Sequence, residues 1–361
     1  MQAHVLFLES FYGGSHRDFA DGFKEASRHR VDLITLPGRF WKWRIRGAAF
    51  SFYKTIKDPR KYDAVFATDL IDLSHLAALW PSPRPPIILY MHENQIAYPL
   101  PQNDRPDYSF GFSNIASALA ADVILFNSHF HMSTFFYSLP RFLSLMPEFA
   151  PDWALEAIER KSRVLYPGCR FIPVKVKKTA KTPLIVWNHR WEFDKNPDAF
   201  FGALEELDDE GFNFDLALLG ECSQKVPKPF ITAKERYGSR VKVYGYVESR
   251  EEYYRWLKMA DIVVSTAIQE NFGISVIEAV RQGCFPLLPS RLSYPEVLPE
   301  AYHNLCIYSS QRDLVKKLKS ALSDPFPEIV DDLPITMERY SWKNLIGLYD
   351  ETIESVYAGS G

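Results

Sequence analysis

Two glutamates separated by seven residues, Glu270 and Glu278 in TAIQENFGISVIEAV, straddle a loop-to-helix junction suited to holding a diphosphate and a sugar together. Asp261 to Thr266 reads as a buried strand, ENFG as a turn, and ISVIEAVRQG as an apolar helix that Gly283 ends. Glu270 then lies in the loop at the strand's carboxyl end and Glu278 in the early helix. The backbone N–H groups of Asn271, Phe272 and Gly273 fall near the helix start, where unpaired donors and the helix dipole attract a phosphate. An ionised Glu278 between Ile277 and Ala279 is costly unless hydrogen-bonded, for example to ribose hydroxyls. A glutamate favoured by the helix dipole alone would look the same, so the pair needs supporting residues.

Those residues stand upstream. WNHRWEFDKNP closes a strand and opens a helix, with Asn196 or its neighbour as N-cap and Pro197 in the first turn. Arg190 and Lys195 therefore share one loop, and two cations beside a helix N-terminus suit a diphosphate leaving group whose charge develops as a glycosidic bond breaks. A solvated surface Arg and Lys is the plainer alternative. Gly245 in VYGYV follows a strand and lets a flat base approach, or is only a turn. Gly13 and Gly14 of FYGGSH allow a ligand close to the backbone but lack GxGxxG spacing. His92, Glu93 and Asn94 end IILYM, placed to bind and polarise a hydroxyl acceptor or to form a buried hydrogen-bonded network.

The stretch Arg39 to Tyr62 carries eight Lys or Arg against one Asp. Arg39, Lys42, Arg44 and Arg46, interleaved with Trp41 and Trp43, describe an RNA surface of phosphate-binding cations and stacking rings. An interfacial membrane segment, or an amphipathic helix whose aromatics are core, has the same composition.

These positions require strands that bring their carboxyl ends together. HVLFLES, DAVFATD, IILYMHE and DVILFNS alternate with loops and helices in the first half; LIVWNHR, FDLALLGE, VKVYGYV, DIVVST and CFPLLP do so in the second. Two doubly wound α/β halves follow, 1–174 and 182–340, with a hinge at Lys175 to Lys181 and a terminal helix at about 341–358 packing back on the first half. A length of 361 residues accommodates both, and 47% hydrophobic against 24% charged residues fits globular domains rather than disorder. No run of eighteen apolar residues and no signal-peptide pattern occur, which predicts a cytoplasmic protein. The four cysteines lack metal-site spacing and read as reduced thiols. A net charge of -3 leaves any polyanion to be held by a local patch.

The paired glutamates, the Arg190/Lys195 loop, Gly245 and the two α/β halves resemble the retaining GT-B glycosyltransferases, two Rossmann-like domains facing a central cleft. FYGGSH, LPGRFWKWRIR, HENQ with its following Tyr98-Pro99, and ILFNSHF are similar to a glycosyltransferase-like family whose characterised members are tRNA-queuosine alpha-mannosyltransferases. The resemblance runs over most of the chain and is densest before Tyr137. It implies GDP-mannose as donor, a cyclopentene-diol hydroxyl of queuosine in the anticodon of an aspartate tRNA as acceptor, and no bound metal. It implies that Glu270 meets the donor sugar, Glu278 the ribose, and Arg190 and Lys195 the diphosphate, with Asn271, Phe272 and Gly273 adding backbone donors. His92 corresponds to an acceptor-side histidine near the reacting carbon, in the half that also holds His16, Glu93, Asn94 and the basic segment. The competing readings are a glycosyltransferase for a lipid or polysaccharide at a membrane surface, and a noncatalytic RNA-binding or sugar-nucleotide-sensing module.

Overall fold

A computed structural model describes residues 2–100, 105–175, 182–222, 225–323 and 332–358. The chain divides into two units, Met1–Arg170 with Tyr340–Gly361, and Phe171–Arg339. Of the stretch expected as a hinge, 176–181 lies outside the described residues.

The first unit holds six parallel strands, β1 (His4–Tyr12), β2 (Arg30–Pro37), β3 (Ala64–Thr68), β4 (Ile87–Met91), β5 (Val123–Phe126) and β6 (Ser162–Val164), in the order β2-β1-β3-β4-β5-β6. A parallel sheet is covered on both faces, so its central strands are unbroken apolar runs rather than alternating ones. The two-residue side-chain period shows in what each face packs against. Leu6 and Leu8, Val65 and Ala67, and Ile87, Leu89 and Met91 enter one core; Val5 and Phe7, Ala64 and Phe66, and Ile88 and Tyr90 enter the other.

The second core is completed from far along the chain. In the helix Trp342–Ala358, Trp342, Leu345, Tyr349 and Ile353 recur at helical spacing and join Phe19 and Phe23 of the helix Gly14–Ala26. The Trp342 indole lies where a β-carbon on Gly22 or Gly168 would come within 1.9 or 2.2 Å of it. Asp350 fixes the same helix by accepting from the Ser27 hydroxyl at 2.6 Å and the Arg28 amide at 3.2 Å.

The second unit repeats the plan with β7 (Leu184–Trp187), β8 (Asp215–Leu219), β9 (Val241–Gly245), β10 (Ile262–Val264), β11 (Phe285–Pro289) and β12 (Ile307–Tyr308), ordered β12-β11-β10-β7-β8-β9. The order reverses between β7 and β10, whose carboxyl-end loops carry Arg190 to Lys195 and Glu270 to Gly273. Such a reversal is where open α/β sheets bind ligands.

Candidate active site

In the second unit the two loops are stitched together by backbone. The Ile268 and Gln269 amides donate to Asp194 O at 2.8 and 3.2 Å, and the Thr266 hydroxyl lies within 2.9 Å of Lys195 O and 2.8 Å of Asn196 O. Asn196, in the left-handed region at φ 53, turns the chain from the short 3-10 turn Phe193–Lys195 into the helix Pro197–Asp209. Lys195 is consequently buried, with Nζ donating to Gln269 O at 2.7 Å and paired with Asp194 Oδ2 at 3.1 Å and Glu270 Oε2 at 3.3 Å. Burial, the largest influence, would raise the Glu270 pKa, but Lys195 foremost, with His189 and the Phe272 amide, together hold the carboxyl below its ordinary value.

The other carboxylate oxygen of Glu270 accepts from the Gly273 amide at 3.1 Å and the Phe272 amide at 3.5 Å. The turn that leads into the helix Ile274–Arg281 is thus held by the glutamate of its own loop. Gly273 starts this helix at φ 91, and an added β-carbon would lie 3.1 Å from the Tyr294 ring. Gly273→Ala should therefore cost about 1–2 kcal/mol through left-handed backbone strain, measured by urea unfolding; unchanged stability would mean that the turn relaxes freely.

The two loop cations differ. Arg190 is half-exposed, 3.1 Å from Glu192 and 4.0 Å from Asp194, whereas Lys195 is internal. Asn271 accepts from the Gln269 side chain at 3.0 Å. Gly245, at φ 110, ends β9 with open space where a side chain would stand, and its carbonyl accepts from the Gly220 amide at 3.1 Å. His189, at the end of β7, lies 3.1 Å from the Ser275 hydroxyl, and burial followed by Lys195 pushes its pKa down to about 4. It is neutral. Glu278 is buried and accepts from Arg250, Tyr253 and Tyr254.

In the first unit Glu9 lies in the carboxyl-end half of β1, Asp69 and His92 directly follow β3 and β4, and His16 contacts Glu9 and His92. His16 Nδ1 is 3.3 Å from buried Glu9, and the His16 and His92 rings lie 4.3 Å apart. Burial opposes a charge on His16, but Glu9, then Asp69 and Glu93, raise its pKa to about 9; burial drives His92 well below the ordinary value. A charged and a neutral histidine are thus in contact. Asp69 accepts from the His92 and Glu93 amides at 3.3 and 3.0 Å, and burial raises its pKa to about 7. Glu9, His16 and His92 offer ligand atoms within 4.8 Å of one another, the one group of this kind among the described residues. A metal there would have to displace the His16 proton.

Asn94 accepts from the Ile96 and Ala97 amides at 3.1 and 2.9 Å and so shapes its own turn, while Glu93 accepts from Gln95. Gly13 backs onto Gly38, whose added β-carbon would come within 2.8 Å of the Gly13 backbone; Gly14 faces open space. Asn127 supports His92 by donating to its carbonyl at 2.9 Å, and Ser128 caps the helix His129–Leu143.

The basic segment is a helix, Trp41–Thr55, and its aromatics divide. Phe52 is core and Trp41 is half-buried against Phe110, whereas Trp43 is 76% exposed and Phe40 68% exposed. Arg39 and Lys42 are exposed beside the Phe40 and Trp41 rings. Arg44 donates to Pro37 O at 3.2 Å; Arg46 packs on Phe110 and lies 3.8 Å from Asp107. Sequence reasoning passed over Glu9, Asp69, His189, Arg250, Tyr253 and Tyr254. The strand-end position of Asp69 and His189 was the available signal.

A fold of two parallel six-stranded sheets with loops of this kind defines a GT-B glycosyltransferase. Solved structures share the fold across nearly the whole chain. A sucrose-phosphate synthase from Thermosynechococcus elongatus aligns with TM-score 0.73 at 12% identity, covering 99% of this chain and 100% of its own. The catalytic domain of starch synthase IV from Arabidopsis thaliana, bound to ADP and acarbose, gives 0.70 at 12% identity with the same coverage. Anabaena HepE in complex with UDP and glucose gives 0.66 at 16%, covering 98% and 100%. Residues 4–169 match the family described as tRNA-queuosine alpha-mannosyltransferase N-terminal, and 170–338 match glycosyl transferases group 1. A Drosophila melanogaster protein named tRNA-queuosine alpha-mannosyltransferase is 34% identical over 367 residues, 96% of this chain and 95% of its own. The chain belongs to the tRNA-queuosine alpha-mannosyltransferase family. No helix among the described residues is long and apolar enough to cross a membrane.

Proposed function

We propose that this glycosyltransferase moves mannose from GDP-mannose to a hydroxyl of the queuosine cyclopentene-diol in the anticodon of tRNA-Asp. The observation that carries this reading is the match of residues 4–169, the unit with the His16/His92 cluster and the basic aromatic helix, to a family described by its tRNA-queuosine activity. In the second unit Arg190 and the first turn after Gly273 receive the diphosphate, Lys195 keeps Glu270 ionised beside the sugar, Glu278 takes the ribose, and Gly245 leaves room for the base. As the bond from sugar to diphosphate breaks, Arg190 and the helix N-terminus stabilise the charge left on the phosphate. Neutral His92 lines the acceptor side with His16, and the reaction proceeds without a metal. Acting on tRNA, the enzyme works in the cytoplasm, with Arg39, Lys42 and Trp43 on the RNA.

The test is mass spectrometry of nucleosides from queuosine-containing tRNA incubated with the protein and GDP-mannose. A queuosine heavier by one hexose is expected. Transfer only from another nucleotide sugar overturns the donor assignment, and equal labelling of tRNA lacking queuosine overturns the acceptor.

A further inference from the structure

Glu278 sits on an apolar helix, where an ionised carboxylate costs several kcal/mol unless its charge is met and its lone pairs are used. One turn of a neighbouring helix meets it. Arg250, Tyr253 and Tyr254 occupy positions i, i+3 and i+4 of the helix Arg250–Met259 and so share one face. Arg250 Nη2 donates to Glu278 Oε1 at 3.0 Å and the Tyr254 hydroxyl donates to the same oxygen at 2.9 Å. The Tyr253 hydroxyl donates to Oε2 at 3.1 Å.

The three donors are not equivalent. Arg250 supplies the balancing charge, and Tyr254, fully buried, packs as core while it donates. Tyr253 is only half-buried, and its hydroxyl also accepts from the Asn188 side chain at 3.2 Å. Asn188 donates to Ser275 O at 2.6 Å as well, tying the end of β7 to the first turn of the helix that carries Glu278. Because Asn188 Nδ2 can only donate, the Tyr253 proton is left to point at the carboxylate. Burial, then the charge of Glu278, holds the Tyr253 pKa well above its ordinary value, so the phenol stays protonated at neutral pH.

We propose that Tyr253 is a positioning residue for the donor: through the relay from Asn188 to Tyr253 to Glu278 it fixes the Oε2 edge of the carboxylate toward the ribose, while Arg250 and Tyr254 anchor Oε1. This rests on the reading of Glu278 as the ribose ligand. A residue of this kind acts on ground-state donor binding and leaves the chemical step alone.

The experiment is GDP calorimetry with steady-state kinetics on Tyr253→Phe, Glu278→Ala and the double variant. Tyr253→Phe keeps the ring and should weaken GDP binding, and raise KM for GDP-mannose, roughly three- to tenfold, the effect of one hydrogen bond, with kcat unchanged. In the Glu278→Ala background the same substitution should have no further effect. Wild-type GDP affinity in Glu278→Ala sinks the ribose assignment and this proposal with it. Weakened binding in Glu278→Ala with wild-type binding in Tyr253→Phe overturns the positioning role alone. A Tyr253→Phe defect that persists undiminished without Glu278, or one that falls on kcat at unchanged KM, also overturns it.

Discussion

Lys195→Ala is expected to lower the free energy of unfolding by about 3–5 kcal/mol, the cost of removing one member of a buried ion pair and leaving the other without its charge. Its ammonium lies among Asp194, Glu270 and the Gln269 carbonyl, and Asp194 is fully buried. Without it Asp194 is left in a low-dielectric interior, partly exposed Glu270 loses its cation, and the loop carrying Glu270 loses its side-chain tie to the loop after β7. Transfer should fall with stability. Arg190→Ala is the contrast: its side chain is half-exposed, so stability should hold within about 0.5 kcal/mol, as for surface changes generally, while transfer drops. The pH dependence has a definite sign. Glu270 titrates below its ordinary value, so its contribution is present above the ordinary glutamate range and lost as pH falls through the folded value. Burial acts against the Lys195 charge, but Glu270 and then Asp194 raise its pKa, so its contribution persists through neutrality and is lost only in alkali. The gap between wild type and Lys195→Ala should therefore narrow in acid. Urea titrations at several pH values measure it, and a constant gap would mean that the pair contributes no charge interaction.

Trp43→Ala should weaken tRNA binding by roughly 1–3 kcal/mol, the worth of one base stacked on an aromatic ring, with an unchanged salt slope. The indole is 76% exposed, so removing it disturbs little packing. Arg39→Ala with Lys42→Ala should instead flatten the log–log salt dependence by about 0.7–0.9 for each phosphate that no longer meets a cation. Arg44 and Arg46 have smaller parts, because one already donates to Pro37 O and the other packs against Phe110 near Asp107. Neither change should alter GDP affinity. If Trp43→Ala binds tRNA as wild type does across a salt titration, the exposed ring does not stack on RNA.

The central strands were legible because burial on both faces leaves continuous apolar runs: VILF and IILYM admit little else. The edges were not. β2 is only partly buried and mixes Arg30 and Asp32 with its apolar residues, while β6 has three residues and β12 two. In the site, strand-to-helix punctuation located Glu270, Glu278, Arg190 and Lys195, because loop position is set locally. Partnership is not local. In sequence Arg190 and Lys195 look like equal cations, and only the loop after β10, more than seventy residues on, makes one of them internal. The Arg250 to Glu278 contact likewise follows from helix packing, as does the split of the basic segment into core Phe52 and exposed Trp43.

The helix Trp342–Ala358 gives this chain an order of assembly in time. The ribosome delivers residues 1–170 first, and the sheet face that carries Phe66 and Tyr90, with Phe19 and Phe23 of the helix Gly14–Ala26 beside it, then lacks Trp342, Leu345, Tyr349 and Ile353. About 170 residues of the second unit are made before Trp342 emerges, roughly ten to thirty seconds at 5–20 residues per second. Through that interval the second unit can complete itself while the first waits, with an aromatic surface bare in the cell. A nascent chain stalled or cut ahead of Tyr340 would therefore expose a ready target for chaperones and proteases in its amino-terminal half, far from the break.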